Sequence, residues 1–262
     1  MTEFYSVKAR KFQTQKERMM KIAVVYKWAR DPEAASVRSD GTVDYRGAKM
    51  TVLEDDPAAL EAAKSIASDS DEIVGVCIGD GDASWILARG VKDTFSVNDA
   101  PSLNDQAVAA KIVAAAIKQI GGVDVVVIGD SLAYPVMAAS LGAELGFKSV
   151  FNLSSAKAEN GAIVATRHIG TAEQTITLNV PVLLGFSAQA DEKSAPGMKE
   201  MLMARKRPTN MLSVSALGVD ISEKFSITSS KAPQEKHATL FDGDAVAATQ
   251  KLVEALKKEG VL

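Results

Sequence analysis

Charged and small polar residues follow three apolar segments of the sequence and could bind a phosphate or a nucleotide. Lys27 follows the segment KIAVVY, GDGD at 79–82 follows DEIVGVCI, and Gly129-Asp130-Ser131 follows DVVVI. If these segments are parallel strands, the polar residues lie beyond the carboxyl edge of one sheet, where α/β folds bind their ligands. Helix N-termini at that edge offer free N–H groups and a partial positive charge to phosphates. The pattern therefore indicates three candidate positions for a nucleotide contact.

None of the three positions completes a known phosphate-binding motif. The segment GDGDAS from Gly79 begins like a dinucleotide fingerprint, but Ser84 stands where Gly or Ala is required. A tight turn with Asp82 as a helix cap is the preferred interpretation there. The segment after Gly129 has no Walker lysine, which excludes a P-loop nucleoside triphosphatase. Lys27 is compatible with a phosphate contact, although a lysine at such a position is more often simply solvated.

The sequence offers poor candidates for catalysis by side chains. His168 lies in a polar stretch of a predicted hairpin and His237 in the C-terminal segment, and neither has a Ser or Cys partner nearby in sequence. A histidine that acts as a general base needs such a partner within hydrogen-bonding reach. Cys77 ends an apolar segment and is interpreted as a small core residue rather than a nucleophile. We therefore expect no catalytic residues in this chain.

Composition and charge exclude several classes of protein. The 262 residues are 47% hydrophobic, enough for a core, and the net charge of −3 excludes a general nucleic-acid surface. A single cysteine excludes an internal disulfide and fits the reducing cytoplasm. No apolar segment approaches the ~20 residues of a membrane-spanning helix. The segment 1–19 has no apolar signal core and is expected to be a disordered leader or the product of an early start codon.

Alternating strands and helices must position the candidate residues. Almost wholly apolar strands separated by helices are typical of a parallel sheet covered on both faces, so the predicted class is α/β and Rossmann-like. The helix that opens at Asp56-Pro57 is expected to use Asp56 as its cap. A long helix is expected to be capped by Asn104 and to end at Gly121-Gly122. The predicted strands are 21–26, 71–78, 94–97 and 124–128, and the predicted helices begin at about 56, 83, 104 and 135.

The pattern changes in the second half of the chain. Residues 150–186 are predicted to form three or four strands, with Asn160-Gly161 as a hairpin turn, and Asp40-Gly41 predicts an earlier hairpin. From about Leu217 large apolar residues are sparse, and a last amphipathic helix is predicted at 244–258. Such a segment cannot build its own core and is expected to lie on another surface. The predicted organisation is a leader at 1–19, a domain at 20–216 and a C-terminal arm at 217–262 that contacts a partner.

Seven segments in chain order carry a resemblance to a known family. They are KIAVVYKWARDPE, SDGTVDY, DDPAALEAA, IVGVCIGD, DVVVIGDSLAYPVMAASLGAELG, MLMARKRP and SALGVDISEKFSI. The series resembles the beta subunit of electron transfer flavoproteins, including the branch related to nitrogen-fixation and carnitine-pathway electron carriers. The resemblance covers nearly all of residues 20–262, and the ordered series carries it rather than one motif.

The resemblance implies a heterodimer with a flavoprotein alpha subunit, which in this family holds an FAD on a mobile domain. The beta subunit of the family binds a structural AMP or, in electron-bifurcating members, a second FAD, and the flavin does the redox chemistry. By this resemblance the nucleotide contacts of the chain are expected from strand ends, a helix start and the loop after the fourth strand. These residues are Tyr26, Lys27, Asp56, Cys77, Ile78, Gly79, Gly129, Asp130 and Ser131.

The resemblance also gives a role to the polar loop from about Gln189 to Arg205. It corresponds to the family's recognition loop, which docks an acyl-CoA dehydrogenase or another redox partner, and Met198 falls at the position of an apolar anchor. A flexible apolar side chain can fill a partner's pocket without exact shape matching. Composition alone favours a disordered, solvated loop, and the resemblance reverses that preference. The basic residues that would steer an acidic partner or neutralise flavin phosphates are Lys199, Arg205, Lys206 and Arg207.

The sequence departs from the family pattern at two positions that normally contact the nucleotide. The loop after the fourth strand is about three residues shorter than usual, and Val136 occupies the approximate position of a glutamine. Leu53 replaces the usual asparagine or serine before the first helix. A missing polar group leaves a phosphate or ribose hydroxyl unpaired at a cost of roughly 1–3 kcal/mol. We therefore expect nucleotide binding by this subunit to be weakened or altered.

The predicted function is that of a cytoplasmic beta subunit which carries electrons, through flavin, between a dehydrogenase and an acceptor. The alternative is an adenine-nucleotide-binding regulatory or scaffold protein of the same fold without electron transfer. A third hypothesis, a small hydrolase or transferase, is disfavoured because the sequence lacks a paired nucleophile and base.

Overall fold

The structure is a computed structural model that describes residues 19–262 except 32, 79–80, 101–104, 131–133, 188–195, 223–226 and 234–237. Its strands are β1 Lys21–Arg30, β2 Ser36–Val37, β3 Val43–Asp44, β4 Met50–Val52, β5 Glu72–Ile78, β6 Asp93–Val97, β7 Val125–Gly129, β8 Lys148–Leu153, β9 Ser155–Glu159, β10 Ala162–Ile169, β11 Ala172–Leu178, β12 Val182–Phe186 and β13 Asn210–Leu212. Its helices are α1 Asp56–Ile66, α2 Ser84–Leu87, α3 Gln106–Ile120, α4 Met137–Leu145, α5 Met198–Ala204, α6 Val214–Leu217 and α7 Ala245–Lys258. None of these helices has both the length and the apolar composition that crossing a membrane requires.

A parallel sheet in the order β13-β6-β5-β1-β7-β12-β8 confirms the predicted α/β class. A further strand, β4, pairs antiparallel with the end of β1. The chain moves outward from β1 to β5 and β6 on one side, and then crosses to β7 on the other side. The gap between β1 and β7 is therefore the switch point of the sheet, where ligands bind in folds of this class.

The strands of this sheet are apolar because helices cover both of its faces. Ile22, Val24 and Tyr26 of β1 pack in one core with Leu60 of α1. The alternate residues of β1 pack in a second core with α3 and α4. All five residues of β7 are buried. Since each strand has an apolar environment above and below, the sequence shows continuous apolar segments rather than alternation.

Two helix starts differ from the sequence-based prediction. The cap of α3 is Asp105, whose side chain accepts hydrogen bonds from the N–H groups of Ala107 and Val108. The predicted cap, Asn104, lies outside the described residues, and its assignment is wrong by one position. The N-cap of α1 is Asp55, and Asp56 is the first helical residue rather than the cap. The Asp56 carboxylate is instead bonded to β1.

Residues 150–186 contain more strands than the sequence analysis predicted. Residues 150–186 span β8 to β12, and only β9, β10 and β11 form a separate antiparallel sheet. The predicted turn at Asn160-Gly161 is confirmed, because both residues have positive φ angles of 51° and 79° between paired strands. The flanking strands β8 and β12 belong to the parallel sheet. Local sequence patterns do not show that β8 and β12 pair in the parallel sheet while β9 to β11, which lie between them in the chain, form a sheet of their own.

The chain divides into two compact units. The smaller unit consists of Val37–Val43 and Ser229–Leu262, and the other described residues form the larger unit. In the smaller unit the N–H of Val43 donates to the carbonyl oxygen of Ser230 at 3.0 Å. It also holds α7, which is capped by Asp244 and has no buried residue. The predicted hairpin at Asp40-Gly41 is present between β2 and β3, whereas the predicted arm boundary at 217 stays a prediction.

Candidate functional site

A buried ion pair lies at the switch point, between β1 and β7. The ammonium nitrogen Nζ of Lys27 donates a hydrogen bond to the carbonyl oxygen of Gly129 at 2.9 Å and lies 3.4 Å from Oδ1 of Asp56. Lys27 is 4% exposed and Asp56 is 0% exposed. The predicted strand ended at residue 26, but β1 continues to Arg30, so Lys27 lies within the strand and is bonded inside the protein rather than solvated.

The second carboxylate oxygen of Asp56 holds two backbone groups. Its Oδ2 accepts hydrogen bonds from the N–H of Lys27 at 2.9 Å and from the N–H of Leu53 at 3.1 Å. Burial raises the pKa of Asp56, and the Lys27 ammonium and these two N–H groups oppose that rise. Together these contacts fasten the end of β1, the start of α1 and the end of β7 to one another.

Gly129 permits this close packing because it has no side chain. A Cβ atom at this position would lie 2.8 Å from Cβ of Asp55 and 2.9 Å from Oδ1 of Asp56. Glycine at a strand end often lets a backbone approach a ligand closely. In this protein, the space that a side chain would fill is taken by the start of α1.

Tyr26 and Cys77 face each other across the β1–β5 pair, and both side chains are buried. The ring of Tyr26 packs against Trp85 of α2, with 5.3 Å between ring centroids. Burial raises the pKa of the Tyr26 hydroxyl and raises the pKa of the Cys77 thiol to about 12. The interpretation of Cys77 as a core residue is confirmed. A protonated, buried thiol lacks the thiolate that nucleophilic chemistry needs.

A narrow cavity of about 10 Å³ lies at the same edge of the sheet. A space of this size holds at most about one water molecule. Lys27 is the only charged residue among the described residues that line it. The lining residues are Val25, Tyr26, Lys27, Ile78, Ala109, Val113, Tyr134 and Met137.

Gln106 bonds to the start of a helix that is distant in sequence. Its side-chain oxygen Oε1 accepts hydrogen bonds from the N–H of Val136 at 2.8 Å and of Met137 at 3.1 Å, where α4 begins. Sequence reasoning missed this residue. No local signal pairs a glutamine with a helix start 30 positions later, and only the packing of α3 against α4 brings them together.

Asp130 joins the end of β7 to the neighbouring strands. Its N–H donates to the carbonyl oxygen of Phe186 at 2.8 Å, and its Oδ2 accepts from the N–H of Asn152 at 2.8 Å. Two other predicted nucleotide contacts, Gly79 and Ser131, lie outside the described residues. For the predicted residues that are described, contact with a nucleotide stays a prediction.

Met198, predicted as the apolar anchor of a loop, is the first residue of α5. It is 82% exposed, and Leu202 and Met203 of the same helix are exposed as well. The C-terminal part of the predicted recognition loop is therefore helical, which corrects the sequence-based interpretation. The segment MKEMLMA favours this outcome because Met, Leu, Glu, Lys and Ala all have high helix propensity. Residues 188–195 of that loop lie outside the described residues.

The basic residues within and after α5 differ in their environments. The guanidinium of Arg207 donates hydrogen bonds to the carbonyl oxygens of Leu87 and Lys92, so it fastens the end of α5 to α2 and the following turn. Nη2 of Arg205 lies 3.9 Å from Oδ2 of Asp82. Lys199 and Lys206 are exposed. Arg207 thus has a structural role that was not predicted, whereas docking by the other basic residues stays a prediction.

A groove of about 630 Å³ lies beside the start of α5. Its walls come from α1, the turn after α2 and the residues that precede and open α5. Both signs of charge are present among the residues that line it, which are Pro57, Leu60, Glu61, Lys64, Ala88, Arg89, Gly90, Pro196, Gly197 and Glu200. The groove therefore offers space next to the exposed apolar side chains of α5 without a dominant charge.

The substitution Lys27→Met tests whether the buried ion pair stabilises the fold. It leaves the Asp56 carboxylate buried without its cation, so we expect the free energy of unfolding to fall by about 3–5 kcal/mol at neutral pH. The folded-state pKa of Asp56 then lies further above its unfolded value of ~3.9, and the folded state holds the proton more tightly than the unfolded state. Stability of the variant should accordingly fall as pH rises above the unfolded pKa of ~3.9, measured by urea denaturation over a series of pH values.

The matched control is Lys64→Met, which removes an exposed lysine paired with Glu61 at 2.7 Å and should cost no more than ~1 kcal/mol. Adding Asp56→Asn to Lys27→Met should restore most of the lost stability, because no charge is then buried. Equal stabilities of Lys27→Met and the control would show that the pair does not hold the switch point together.

Comparison with known protein families identifies the chain. The model of the electron transfer flavoprotein domain matches residues 40–217. The match begins before α1 and ends at the last residue of α6, so it includes Asp56, Gly129 and the exposed helix α5. It covers well over half of the sequence. The chain therefore belongs to the electron transfer flavoprotein family.

Proposed function

We propose that the chain is the beta-type subunit of a heterodimeric electron transfer flavoprotein, which carries electrons between a dehydrogenase and an acceptor. The single observation that carries the proposal is the family match over residues 40–217. In such a complex the flavin does the redox chemistry, and the role of this chain is to bind and orient.

FAD, held by or shared with the alpha subunit, is the cofactor of the proposed complex, and it supplies the electron transfer. By the family resemblance, the ligand at the sheet edge of the beta subunit is either AMP or a second FAD. With either ligand, this chain contributes strand and helix ends that are held in fixed positions. The bonds of Lys27 and Asp56 hold β1, the end of β7 and the start of α1 together at the switch point.

Helix α7 is the surface proposed to bind the alpha subunit. It is amphipathic, yet none of its residues is buried, and Val246 and Leu252 are exposed apolar side chains. An amphipathic helix gains most of its stability by packing its apolar face on another surface. A partner subunit would supply that surface for the C-terminal arm.

Helix α5 is the surface proposed to dock the redox partner, an acyl-CoA dehydrogenase or a similar flavoenzyme. Met198, Leu202 and Met203 are all exposed on it. Methionine and leucine adapt their shape to a pocket and act as anchors when desolvated. The exposed Lys199 and Lys206 would add charge that attracts an acidic partner and speeds association.

The alternative function, an adenine-nucleotide-binding regulatory protein without electron transfer, has less support. The match over residues 40–217 is to the electron transfer flavoprotein domain, which favours electron transfer over a purely regulatory role. A cytoplasmic location remains an expectation from the single cysteine.

Co-expression with the flavoprotein alpha subunit tests the proposal directly. The two chains should co-purify as a one-to-one complex whose absorption spectrum shows bound flavin, and nucleotide extraction counts the flavins per heterodimer. A chain that stays alone and colourless in the presence of the alpha subunit would overturn the proposed function.

The substitution Leu252→Asp tests α7 as the contact with the alpha subunit. Leu252 is 45% exposed, so the change should leave the fold of the chain intact. Burying the new carboxylate in an apolar interface should weaken the complex by about 30-fold, measured by titration with the purified alpha subunit. Gln250→Asp adds the same charge at an exposed polar position of the same helix and serves as the control. Identical affinities of the two variants would contradict the role of the apolar face.

The substitution Met198→Glu tests α5 as the docking surface. We expect kcat/KM for reduction of the complex by its physiological dehydrogenase to fall about tenfold or more, because the anchor becomes charged. Flavin content and heterodimer affinity should stay unchanged. Met19→Glu places the same charge at another exposed methionine, 58% exposed, and should have no effect. Unchanged kinetics of Met198→Glu would remove the docking assignment.

A further inference from the structure

Helix α5 concentrates the methionines of the chain. Three of the nine methionines in the sequence, Met198, Met201 and Met203, lie within its seven residues. Met198 is 82% exposed and Met203 is 59% exposed, whereas Met137, which packs in a core of the sheet, is 4% exposed. The side chains of Met198 and Met203 are therefore open to small reagents in solution.

The sulfur of the only cysteine in the chain is protected from such reagents. Cys77 is buried in the same core as Tyr26, and burial raises the pKa of its thiol to about 12. A buried, protonated thiol reacts slowly with oxidants, because susceptibility follows thiolate character and exposure. Among the described residues, a soluble oxidant is therefore expected to reach sulfur at the exposed methionines.

Hydrogen peroxide oxidises an exposed methionine without help from a catalytic group. The sulfur lone pair attacks one oxygen of the peroxide, and an S–O bond forms as the O–O bond breaks. The departing hydroxide takes the proton of the transferred hydroxyl and leaves as water, so the sulfur loses two electrons and the peroxide gains them. The product, methionine sulfoxide, is polar, and methionine sulfoxide reductases convert it back to methionine.

The position of α5 does not depend on its exposed methionines. Ala204 is buried in a core of the sheet, and the guanidinium of Arg207 donates hydrogen bonds to the carbonyl oxygens of Leu87 and Lys92. These contacts fasten the C-terminal end of the helix, whereas Met198 is its first residue. Oxidation of the exposed methionines therefore changes the chemistry of the helix surface and leaves the core intact.

We propose that Met198 and Met203 form a reversible oxidation site, and that their oxidation by peroxide prevents docking of the redox partner at α5. The inference rests on the proposed function, in which these side chains enter an apolar pocket of the partner. A sulfoxide oxygen is a hydrogen-bond acceptor, and burying it without a donor weakens binding. Complexes formed for electron transfer are weak and transient, so α5 is exposed to the oxidant between encounters.

In the experiment, the purified heterodimer is treated with hydrogen peroxide, the peroxide is removed with catalase, and the oxidised residues are mapped by mass spectrometry of peptides. Met198 and Met203 should gain one oxygen at least about tenfold faster than the buried Met137. At full oxidation of the two residues, kcat/KM for reduction by the physiological dehydrogenase should fall about tenfold. Flavin content and heterodimer affinity should stay unchanged, and methionine sulfoxide reductases should restore kcat/KM.

Two double variants locate the effect. In the variant with Met198→Leu and Met203→Leu the side chains stay apolar and of similar volume but contain no sulfur, so kcat/KM should be the same before and after peroxide. The control, with Met19→Leu and Met211→Leu, removes two other exposed methionines and keeps those of α5, so it should lose about tenfold like the wild type. Comparing each variant with its own untreated sample separates oxidation from any effect of the substitution itself.

Full oxidation of Met198 and Met203 with unchanged kcat/KM would overturn the inference, as would oxidation of these residues no faster than that of Met137. Equal losses in the two double variants would also overturn it, because the loss would then come from sulfur outside α5. In all three cases the untreated complex still accepts electrons. An untreated wild-type complex that the dehydrogenase does not reduce would instead overturn the proposed function, and this inference with it, so the two failures can be told apart.

Discussion

The buried pair of Lys27 and Asp56 is the interaction on which the candidate site depends. Removing two charges from water costs several kcal/mol per ion, so such a pair persists only when further hydrogen bonds complete it. Here the carbonyl oxygen of Gly129 bonds to the Lys27 ammonium and the N–H groups of Lys27 and Leu53 bond to Oδ2 of Asp56. Among the described residues Oδ1 has no hydrogen bond, and the Lys27 ammonium lies 3.4 Å from it. Because the bonded groups belong to β1, β7 and the segment that opens α1, satisfying the charges also fixes the switch point of the sheet.

Much of the fold could be predicted because it follows from local patterns. Continuous apolar segments predicted the parallel strands, and the residue types Asn160-Gly161 predicted a hairpin turn, which the positive φ angles of both residues confirm. The partner of a polar side chain could not be predicted in the same way. Asp56 has the sequence context of a helix cap, yet its carboxylate bonds to β1. Gln106 looks like an ordinary first-turn residue, and its partners lie 30 positions away. Such pairings are set by how helices and strands pack, which no short window of sequence records.

The surfaces proposed for partners lie outside the two cores of the sheet. The cores contain the central strands with α1, α3 and α4, whereas the exposed apolar side chains of α5 and α7 contribute little to them. A change on either helix can therefore alter recognition at small cost to stability. Arg207 is the exception, because its hydrogen bonds to the carbonyl oxygens of Leu87 and Lys92 fasten the C-terminal end of α5 to α2 and the turn that follows it. The exposed face of α5 can therefore vary while its C-terminal end stays fixed.

Side chains of this chain itself satisfy the starts of two long helices beside the switch point. Gln106 accepts hydrogen bonds from the N–H groups of Val136 and Met137 where α4 begins, and Asp105 accepts from two N–H groups at the start of α3. The first N–H groups of a helix have no partner within the helix, so buried ones need an acceptor from elsewhere in the protein. Because Gln106 is also the first residue of α3, one short segment supplies acceptors to both helices and fixes how their starts lie against each other.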